Sequence, residues 1–114
     1  MCGIVGIISS NGSAVDRAVL EKMNAAIIHR GPDEAGFYVN GKVGLAMRRL
    51  SIIDLASGQQ PIYNADKTKW LVFNGEIYNY QALREDLIAR GHALYTKSDT
   101  EAVLHLYDEF GVDC

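Results

Sequence analysis

Hydrophobic and polar residues recur with a strand-like period in some segments and a helical period in others, so the chain predicts both kinds of element. Residues 2–8 are apolar and β-branched apart from two glycines. Such a run predicts a buried strand that begins almost at the first residue. Ser13 and Asp16 then resemble an acidic capping box, and the residues after them predict a helix that ends near Ile28. The apolar positions of this helix are Val15, Val19, Met23, Ala26 and Ile27.

Two predicted hairpins occupy the middle of the chain, after an ordered loop at residues 29–33, where Gly31-Pro32 interrupts the helix. Asn40-Gly41 is the dipeptide most favoured in two-residue hairpin turns, because both positions require positive φ. A second turn is predicted at residues 65–67. The predicted strands are residues 37–39 and 43–47 in the first hairpin and residues 62–64 and 70–73 in the second.

The last third of the chain predicts two helices with a strand between them. Asn79 is a candidate N-cap for the first of these helices, and Gly91 lies where a left-handed C-terminal cap is expected. A strand is predicted at residues 93–96, and Ser98 with Glu101 three residues later predicts a capping box for the last helix. Positions expected to face inward are Leu83, Leu87 and Ile88 in the first helix and Val103, Leu106, Tyr107 and Phe110 in the last, which ends at Gly111.

Antiparallel hairpins with helices between them favour the α+β class, in which helices pack on the faces of a sheet. No repeat, linker or low-complexity tract divides the chain. Only a few short strands are predicted, and the last helix has no strand after it. We therefore expect a single continuous domain of which this chain is the first part.

Composition excludes several classes of function. The 114 residues carry 11 basic and 14 acidic side chains, for a net charge of −3, and 48% are hydrophobic. This is ordinary globular composition without the basic excess that nucleic acid or anionic lipid would require. No apolar run approaches the roughly 20 residues that cross a bilayer, and no targeting peptide is recognised. We therefore expect a cytoplasmic protein without nucleic-acid or membrane partners, in which Cys2 and Cys114 are thiols.

Cys2 is the first candidate for chemistry. Removal of Met1 would put a thiol and a free α-amine on one residue, and such an amine titrates close enough to neutrality to serve the thiol as a base. Gly3 beside it would allow a substrate carbonyl to approach closely. The structural alternatives are that Cys2 is a small hydrophobic residue at the start of a strand and that Gly3 serves strand packing.

Three other places in the chain have both a binding and a structural interpretation. The side-chain amide of Asn74 and the backbone N–H of Gly75 are two donors suited to an oxyanion hole, although Asn-Gly is also a common turn. An arginine of the pair Arg48-Arg49 is either a carboxylate clamp or a solvated surface charge. Asp99 either favours the dipole of the last helix or binds the ammonium group of a ligand.

Metal and nucleotide sites are not predicted. The three histidines, His29, His92 and His105, share no metal-ligand spacing, and two distant cysteines make no zinc motif. The sequence has no glycine-rich phosphate loop and no nucleophile elbow. We therefore expect no metal and no ATP chemistry within these residues.

Five motifs occur in order and cover practically the whole chain. They are Met1-Cys2-Gly3-Ile4-Val5-Gly6, His29-Arg30-Gly31-Pro32-Asp33, Arg49-Leu50-Ser51-Ile52-Ile53-Asp54-Leu55, Asn74-Gly75-Glu76-Ile77-Tyr78-Asn79 and Ser98-Asp99-Thr100-Glu101. Together they resemble the class II, N-terminal nucleophile type of glutamine amidotransferase domain. The second, third and fourth motifs, with Gln60-Pro61, are similar to the branch found in glutamine-hydrolysing asparagine synthetases.

This resemblance implies an enzyme and a set of roles. Cys2, freed of Met1, would attack the side-chain amide of glutamine, release ammonia and form a γ-glutamyl thioester. Asn74 and Gly75 would form the oxyanion hole. The other glutamine-binding residues would be Arg49 for the α-carboxylate, Asp99 for the α-ammonium, and Ile52, Ile53 and Glu76 for the rest of the pocket.

The resemblance also implies the surroundings of the site. The complete fold would be the four-layer αββα sandwich of N-terminal nucleophile hydrolases, of which residues 1–114 would be the N-terminal portion. The glutaminase reaction needs no cofactor. ATP, Mg²⁺ and aspartate would act in a C-terminal synthetase domain absent from this chain, and the family suggests a homodimer.

Two departures from the family pattern bear on function. Met47 stands where many relatives have histidine, which changes packing but removes no catalytic group. A retained Met1 would block the α-amine of Cys2 as an amide. Two other functions therefore stay open, a non-catalytic glutamine-binding fragment and an amidotransferase that passes ammonia to another acceptor.

Overall fold

The first part of the fold is a three-stranded antiparallel sheet with one helix on it, in a computed structural model that describes residues 1–50 and 58–114. Its elements are β1 Gly3–Ile8, α1 Arg17–Ala26, β2 Glu34–Asn40 and β3 Val43–Arg49. The strands lie in the order β1, β3, β2, so β3 is central. The α1 helix packs against β3 and β1.

The second part is a two-stranded sheet followed by two helices. Its elements are β4 Ile62–Tyr63, β5 Trp70–Leu71, α2 Tyr80–Ala89 and α3 Asp99–Phe110. The α3 helix packs against α2 and also contacts β4 and β5. The α+β class and both hairpins are therefore confirmed. No helix formed by residues 1–50 and 58–114 is long and apolar enough to cross a membrane.

Aromatic rings join the two parts. Tyr38 of β2 stacks on Trp70 of β5 with 4.1 Å between ring centroids. Tyr63 of β4 meets the same indole at 4.9 Å and stacks on Tyr95 at 4.8 Å. Each contact lies within the range in which aromatic pairs attract beyond simple burial. Four rings thus connect the first sheet to the second and to the segment before α3.

Most helix boundaries lie at predicted capping residues, although Asn79 at the start of α2 makes no side-chain capping hydrogen bond. The carboxylate of Asp16 accepts the backbone N–H of Ala18 at 2.9 Å, so Asp16 and not Ser13 caps α1. Gly91 has φ +94° after α2, and Gly111 has φ +60° after α3. Glycine adopts these left-handed conformations at little cost, which confirms both predicted helix ends.

β1 is an exposed edge strand, which corrects the prediction of a buried strand at residues 2–8. Among the described residues it pairs with β3 alone. Ile4 and Ile8 are 49% and 82% exposed. An apolar run identifies side chains that can be buried, but burial also needs a layer of protein on that face.

The buried stripe of α1 differs from the predicted one. Val15 is buried as predicted and Ile27 is half-buried, but Val19, Met23 and Ala26 are exposed. Leu20 and Asn24, which are not among the predicted positions, are buried. The sheet explains the shift, because the helix rests over Gly44 of β3. A Cβ there would lie 2.9 Å from Cγ1 of Val15 and 3.2 Å from Cδ2 of Leu20. Because Gly44 has no side chain, Val15 and Leu20 can pack directly against β3 and are buried there.

The first hairpin turn is shifted by one residue from its prediction. Asn40 pairs with Val43, so the two turn residues are Gly41 and Lys42 and not Asn40 and Gly41. Gly41 alone of these residues has positive φ, at +53°. Asn40 is consequently the last residue of β2.

Residues 93–96 do not form the predicted strand. The backbone N–H groups of Tyr95 and Thr96 each donate to the carboxylate of Glu101, both at 2.7 Å. The Thr96 hydroxyl donates to the same carboxylate at 2.5 Å. A side chain thus takes the place of the neighbouring strand that would satisfy these donors. Glu101 is therefore not a capping-box partner of Ser98, whose N–H donates to Thr96 Oγ1.

The two C-terminal helices also bury faces that differ from the predicted ones. In α2, Leu87 is buried and Leu83 is half-buried as expected, but Ile88 is 52% exposed. In α3, Tyr107 and Phe110 are exposed. The buried residues of α3 are Thr100, Glu101, Ala102, Leu104 and His105. Three of these are polar, which hydrophobic periodicity cannot anticipate.

Replacing Glu101 with alanine is expected to lower the free energy of unfolding by about 3 kcal/mol, because three donors lose a buried charged acceptor. Urea denaturation followed by circular dichroism measures the change. Glu85→Ala, at an exposed position of α2, is the matched control and should change stability by less than about 0.5 kcal/mol. Equal stability of the two variants would contradict the assigned role of Glu101.

Candidate functional site

One end of the first sheet holds both Cys2 and Arg49. Gly3 pairs with Arg48 in the β1–β3 register, so Cys2 precedes this ladder beside the last residue of β3. The carbonyl of Cys2 accepts a hydrogen bond from Nε of Arg30 at 3.1 Å. The residues after α1 thereby hold the backbone of the predicted nucleophile.

The predicted loop at residues 29–33 is closely fitted to β3. Nε of Arg48 donates to the carbonyl of Gly31 at 2.8 Å, and Nη2 donates to the carbonyl of Pro32 at 3.2 Å. A Cβ on Gly31 would lie 2.4 Å from the carbonyl carbon of Arg48. No larger residue fits at position 31 without a shift of the backbone.

Cys2 is half-buried and unpaired with any described cysteine, and Met1 before it is 78% exposed. A Cβ on Gly3 would lie only 2.7 Å from Cδ1 of Ile27. Strand and helix packing therefore accounts for the glycine, as the structural alternative proposed.

Arg49 is not a solvated surface charge. Its Nη1 lies 3.2 Å from Oε2 of Glu34, and the two side chains are only 15% and 27% exposed. The two residues are directly opposite each other on β3 and β2. A Cβ on Gly58 would lie 3.6 Å from Nη2 of Arg49 and 3.3 Å from Ser98. Gly58 thus lies close to both the Arg49 guanidinium and Ser98, the residue that caps α3.

Asp99 is the first residue of α3 and links that helix to the segment after Asn74. Its Oδ2 accepts the backbone N–H of Ile77 at 2.9 Å, and its Oδ1 accepts the N–H of Thr100 at 2.9 Å. Ser98 accepts the same Thr100 N–H at 3.2 Å as the N-cap. The acidic group therefore lies at a helix N-terminus, where a negative charge is favoured.

Asn74, Gly75 and Glu76 form an exposed segment beside Asp99. A Cβ on Gly75 would lie 2.6 Å from the ring of Phe73, so the ring covers the glycine. Within residues 1–50 and 58–114, no hydrogen bond joins Cys2 to Asn74 or Gly75. The structure thus brings the Asn74 segment to Asp99, places Gly58 close to both Arg49 and Ser98, and leaves the oxyanion hole a prediction.

A cleft of about 440 Å³ lies between the first sheet and the residues around β4. Arg49 and Glu34 belong to its wall together with Gln60, Tyr63 and Tyr95. Burial raises the pKa of the Tyr95 phenol, which accepts the backbone N–H of Tyr63 at 3.2 Å. The cleft shares Arg49 with the predicted site, but Cys2, Asn74 and Asp99 are not part of its wall.

Two predicted pocket residues, Ile52 and Ile53, lie outside the described residues. Met47, at a position where the family pattern leads us to expect histidine, is only 2% exposed. Its carbonyl accepts a hydrogen bond from Nδ2 of Asn24 at 3.4 Å. Met47 is therefore a packing residue of the sheet.

Two of the three histidines meet although their spacing in sequence predicts no common site. Nδ1 of His92 lies 3.1 Å from Nδ1 of His105, and Nε2 of His92 lies 2.9 Å from Oε2 of Glu109. The hydrogen bond to His92 holds the pKa of Glu109 below its usual range. Within the described ranges, no group of three or more His, Cys, Asp or Glu side chains forms a metal-ligand set.

Gln60 contacts residues of the candidate site. The sequence assigns it no role, because Gln60-Pro61 serves there only as part of the family resemblance. Its Oε1 accepts the N–H of Phe73 at 2.6 Å, and its Nε2 donates to Oγ1 of Thr100 at 3.4 Å. These partners are 13 and 40 residues away in sequence. No local pattern could therefore have revealed them.

Comparison with known families identifies the kind of domain. The glutamine amidotransferase domain family matches residues 1–114, which is the whole chain. Asparagine synthetase [glutamine-hydrolyzing] 1 of Bacillus subtilis (strain 168) is 45% identical over 113 residues, which are 96% of this chain and 18% of that protein.

Two relatives from eukaryotes are equally similar. Asparagine synthetase [glutamine-hydrolyzing] 1 of Arabidopsis thaliana is 46% identical over 114 residues, 99% of this chain and 19% of that protein. Probable asparagine synthetase [glutamine-hydrolyzing] of Dictyostelium discoideum is 44% identical over 116 residues, 99% of this chain and 21% of that protein. The chain thus spans about a fifth of the length of these relatives.

Gly36→Ala is expected to destabilise the cleft wall by about 1–3 kcal/mol. A Cβ on this glycine of β2 would lie 1.6 Å from the carbonyl oxygen of Gln60, so the backbone must move. Gly6→Ala in β1 is the matched control, because its Cβ would make ordinary contacts at 3.6 Å. Urea denaturation should show at most about 1 kcal/mol of change for the control. Equal destabilisation by both substitutions would contradict the close approach at Gly36.

Proposed function

This chain belongs to the glutamine amidotransferase domain family, and on that premise we propose that it hydrolyses the side-chain amide of glutamine. The observation that carries the proposal is the family match over residues 1–114, which includes Cys2 and Asn74-Gly75. The relatives named above are glutamine-hydrolysing asparagine synthetases. We therefore propose that the ammonia serves asparagine synthesis.

The proposed reaction begins once Met1 has been removed. The thiol of Cys2 transfers its proton to the α-amine of the same residue, and the sulfur attacks the amide carbon of glutamine. The carbon–nitrogen bond then breaks, and the leaving nitrogen takes the proton from the α-ammonium to depart as ammonia. Water attacks the resulting γ-glutamyl thioester, which releases glutamate and restores the Cys2 thiol.

The remaining groups would bind and orient the substrate. Asn74 Nδ2 and the N–H of Gly75 would donate to the oxyanion that forms on the amide oxygen. Arg49 would hold the α-carboxylate, since a guanidinium matches that group with two parallel hydrogen bonds. Asp99 would hold the α-ammonium group. The pair formed by Arg49 and Glu34 supports this assignment, because it orients the guanidinium before substrate arrives. Glu76, Ile52 and Ile53 would complete the pocket.

The whole asparagine-forming reaction needs parts beyond these 114 residues. We propose that aspartate is activated with ATP and Mg²⁺ in a separate synthetase domain, since the chain spans only about a fifth of its relatives. We further propose a complete αββα sandwich, a cytoplasmic location and a homodimer. The exposed side chains of Ile4 and Ile8 on β1 support the sandwich, because a further layer of the complete fold would cover them.

We infer a second candidate function for a chain from which Met1 has not been removed. If Met1 stays attached, the α-amine of Cys2 is an amide and cannot accept a proton. The chain would then bind glutamine without hydrolysing it. Intact-mass measurement distinguishes the two states by the mass of one methionine.

Cys2→Ala in the processed chain is expected to lower glutamine hydrolysis by at least roughly a thousandfold, because the nucleophile is lost. Coupled detection of glutamate measures the rate. Cys114→Ala is the control and should retain the rate, since Cys114 is exposed at the far end of the chain. A diazo-ketone analogue of glutamine should label Cys2 alone, with protection by excess glutamine. Undiminished hydrolysis by Cys2→Ala would end the proposal.

Arg49→Lys is expected to raise KM for glutamine by roughly 10- to 100-fold with a smaller effect on kcat, because an ammonium cannot make the bidentate carboxylate contact. Steady-state kinetics measures both parameters. Arg17→Lys is the control, since Arg17 is an exposed residue of α1 that pairs with Glu21 and lies over the ring of Phe37. An unchanged KM for Arg49→Lys in a folded chain would assign the α-carboxylate to another residue.

A further inference from the structure

Both ends of the exposed segment Asn74 to Glu76 are held by side chains from elsewhere in the fold. At one end, the N–H of Phe73 donates to Oε1 of Gln60 at 2.6 Å. At the other, the N–H of Ile77 donates to Oδ2 of Asp99 at 2.9 Å. Three residues lie between the two attachment points, among them the two proposed oxyanion donors.

The two attachment points are themselves connected. Nε2 of Gln60 donates to Oγ1 of Thr100 at 3.4 Å, and that hydroxyl lies 3.5 Å from Oδ1 of Asp99, to which it can donate. Thr100 is only 3% exposed, so this connection is shielded from water. We call the closed circuit formed by Gln60, Thr100, Asp99, Ile77 and Phe73 the amide bracket.

The backbone of Gln60 packs tightly against Gly36 of β2. Its carbonyl oxygen lies where a Cβ of Gly36 would be, at 1.6 Å from that position. The glutamine therefore rests directly on β2, which is part of the same sheet as Arg49. The amide bracket is in this way fixed to the sheet as well as to α3.

The chemistry of the side chain matters, because the bracket needs one acceptor and one donor on the same group. A primary amide supplies both. Methionine has similar length but replaces neither hydrogen bond, and glutamate keeps the acceptor while losing the donor. Glutamine is thus well suited to this position.

We propose that Gln60 is a positioning residue that sets the distance between the oxyanion donors and Asp99, and so selects glutamine over asparagine. The inference rests on the proposed function, in which Asp99 holds the α-ammonium and Asn74 with Gly75 holds the side-chain amide oxygen of one substrate molecule. The distance between these two sites then determines how long a substrate side chain must be to reach both. Asparagine is shorter by one methylene and cannot reach both sites together.

The first test measures amide hydrogen exchange by NMR in the chain without substrate. In Gln60→Met, exchange at Phe73 should accelerate by roughly tenfold, since its N–H loses the Gln60 acceptor. Exchange at Ile77 should accelerate as well, because its acceptor Asp99 loses the connection to Gln60 through Thr100. Amides in the centre of β3 should keep their rates, which verifies the fold. Gln81→Met, at an exposed position in the first turn of α2, is the matched control and should change none of these rates. Unchanged exchange at Ile77 would overturn the amide bracket.

The second test compares kcat/KM for glutamine and for asparagine in the processed chain. Gln60→Met should lower the preference for glutamine by roughly tenfold, which is the scale of discrimination by one methylene. A merely structural role would lower both values together and leave their ratio unchanged. Gln60→Glu retains the acceptor for Phe73 and should also lower the ratio, because the donor to Thr100 is lost. It keeps the test valid if Gln60→Met folds poorly.

The outcomes separate the two proposals. If the processed wild-type chain hydrolyses no glutamine, the proposed function fails, and the exchange measurement alone decides whether Gln60 holds the segment. If the wild-type chain is active and the Gln60 variants keep its substrate preference, the positioning role is overturned while the proposed function stands.

Discussion

The first turn of α3 is the feature on which the second part of the fold depends. Two segments without regular structure present backbone N–H groups that need partners, and carboxylates from this turn supply them. Asp99 accepts the N–H of Ile77, and Glu101 accepts those of Tyr95 and Thr96. Backbone N–H groups that would otherwise need acceptors on a neighbouring strand thereby donate to side chains of a helix. The same turn carries Asp99, so the proposed ammonium site would lie on the element that organises this part of the fold.

Local signals in the sequence identify most of the elements. Asp16, Gly91 and Gly111 mark helix ends through their own conformational preferences, which no distant residue alters. The strand predicted at residues 93–96 is wrong because its donors are taken by Glu101. The stripe of α1 is wrong because Gly44 lies beneath it. Both errors concern contacts between segments far apart in sequence, on which a local pattern carries no information.

The candidate site likewise combines residues that local motifs suggest with residues whose contacts only the fold reveals. Motifs make Arg49 and Asp99 candidates, and Gly58 lies close to both the Arg49 guanidinium and Ser98, the residue before Asp99. Gln60 has no motif chemistry of its own, and its contacts become visible only in three dimensions. The position of Cys2 depends on Arg30, while Arg48 holds the loop beside it. Arginines that resemble surface charges in the sequence therefore support the predicted nucleophile.

The ring contact between Tyr38 and Trp70 has a consequence for observing the protein. Trp70 is the sole tryptophan of the 114 residues. Its indole is stacked on β2 and its Nε1 donates to the carbonyl of Lys67 at 3.1 Å. Intrinsic fluorescence excited at the red edge of the absorption band therefore originates from the junction of the two sheets. The wavelength of maximum emission therefore reports whether the packing at that junction is intact, with no label and no change to the sequence.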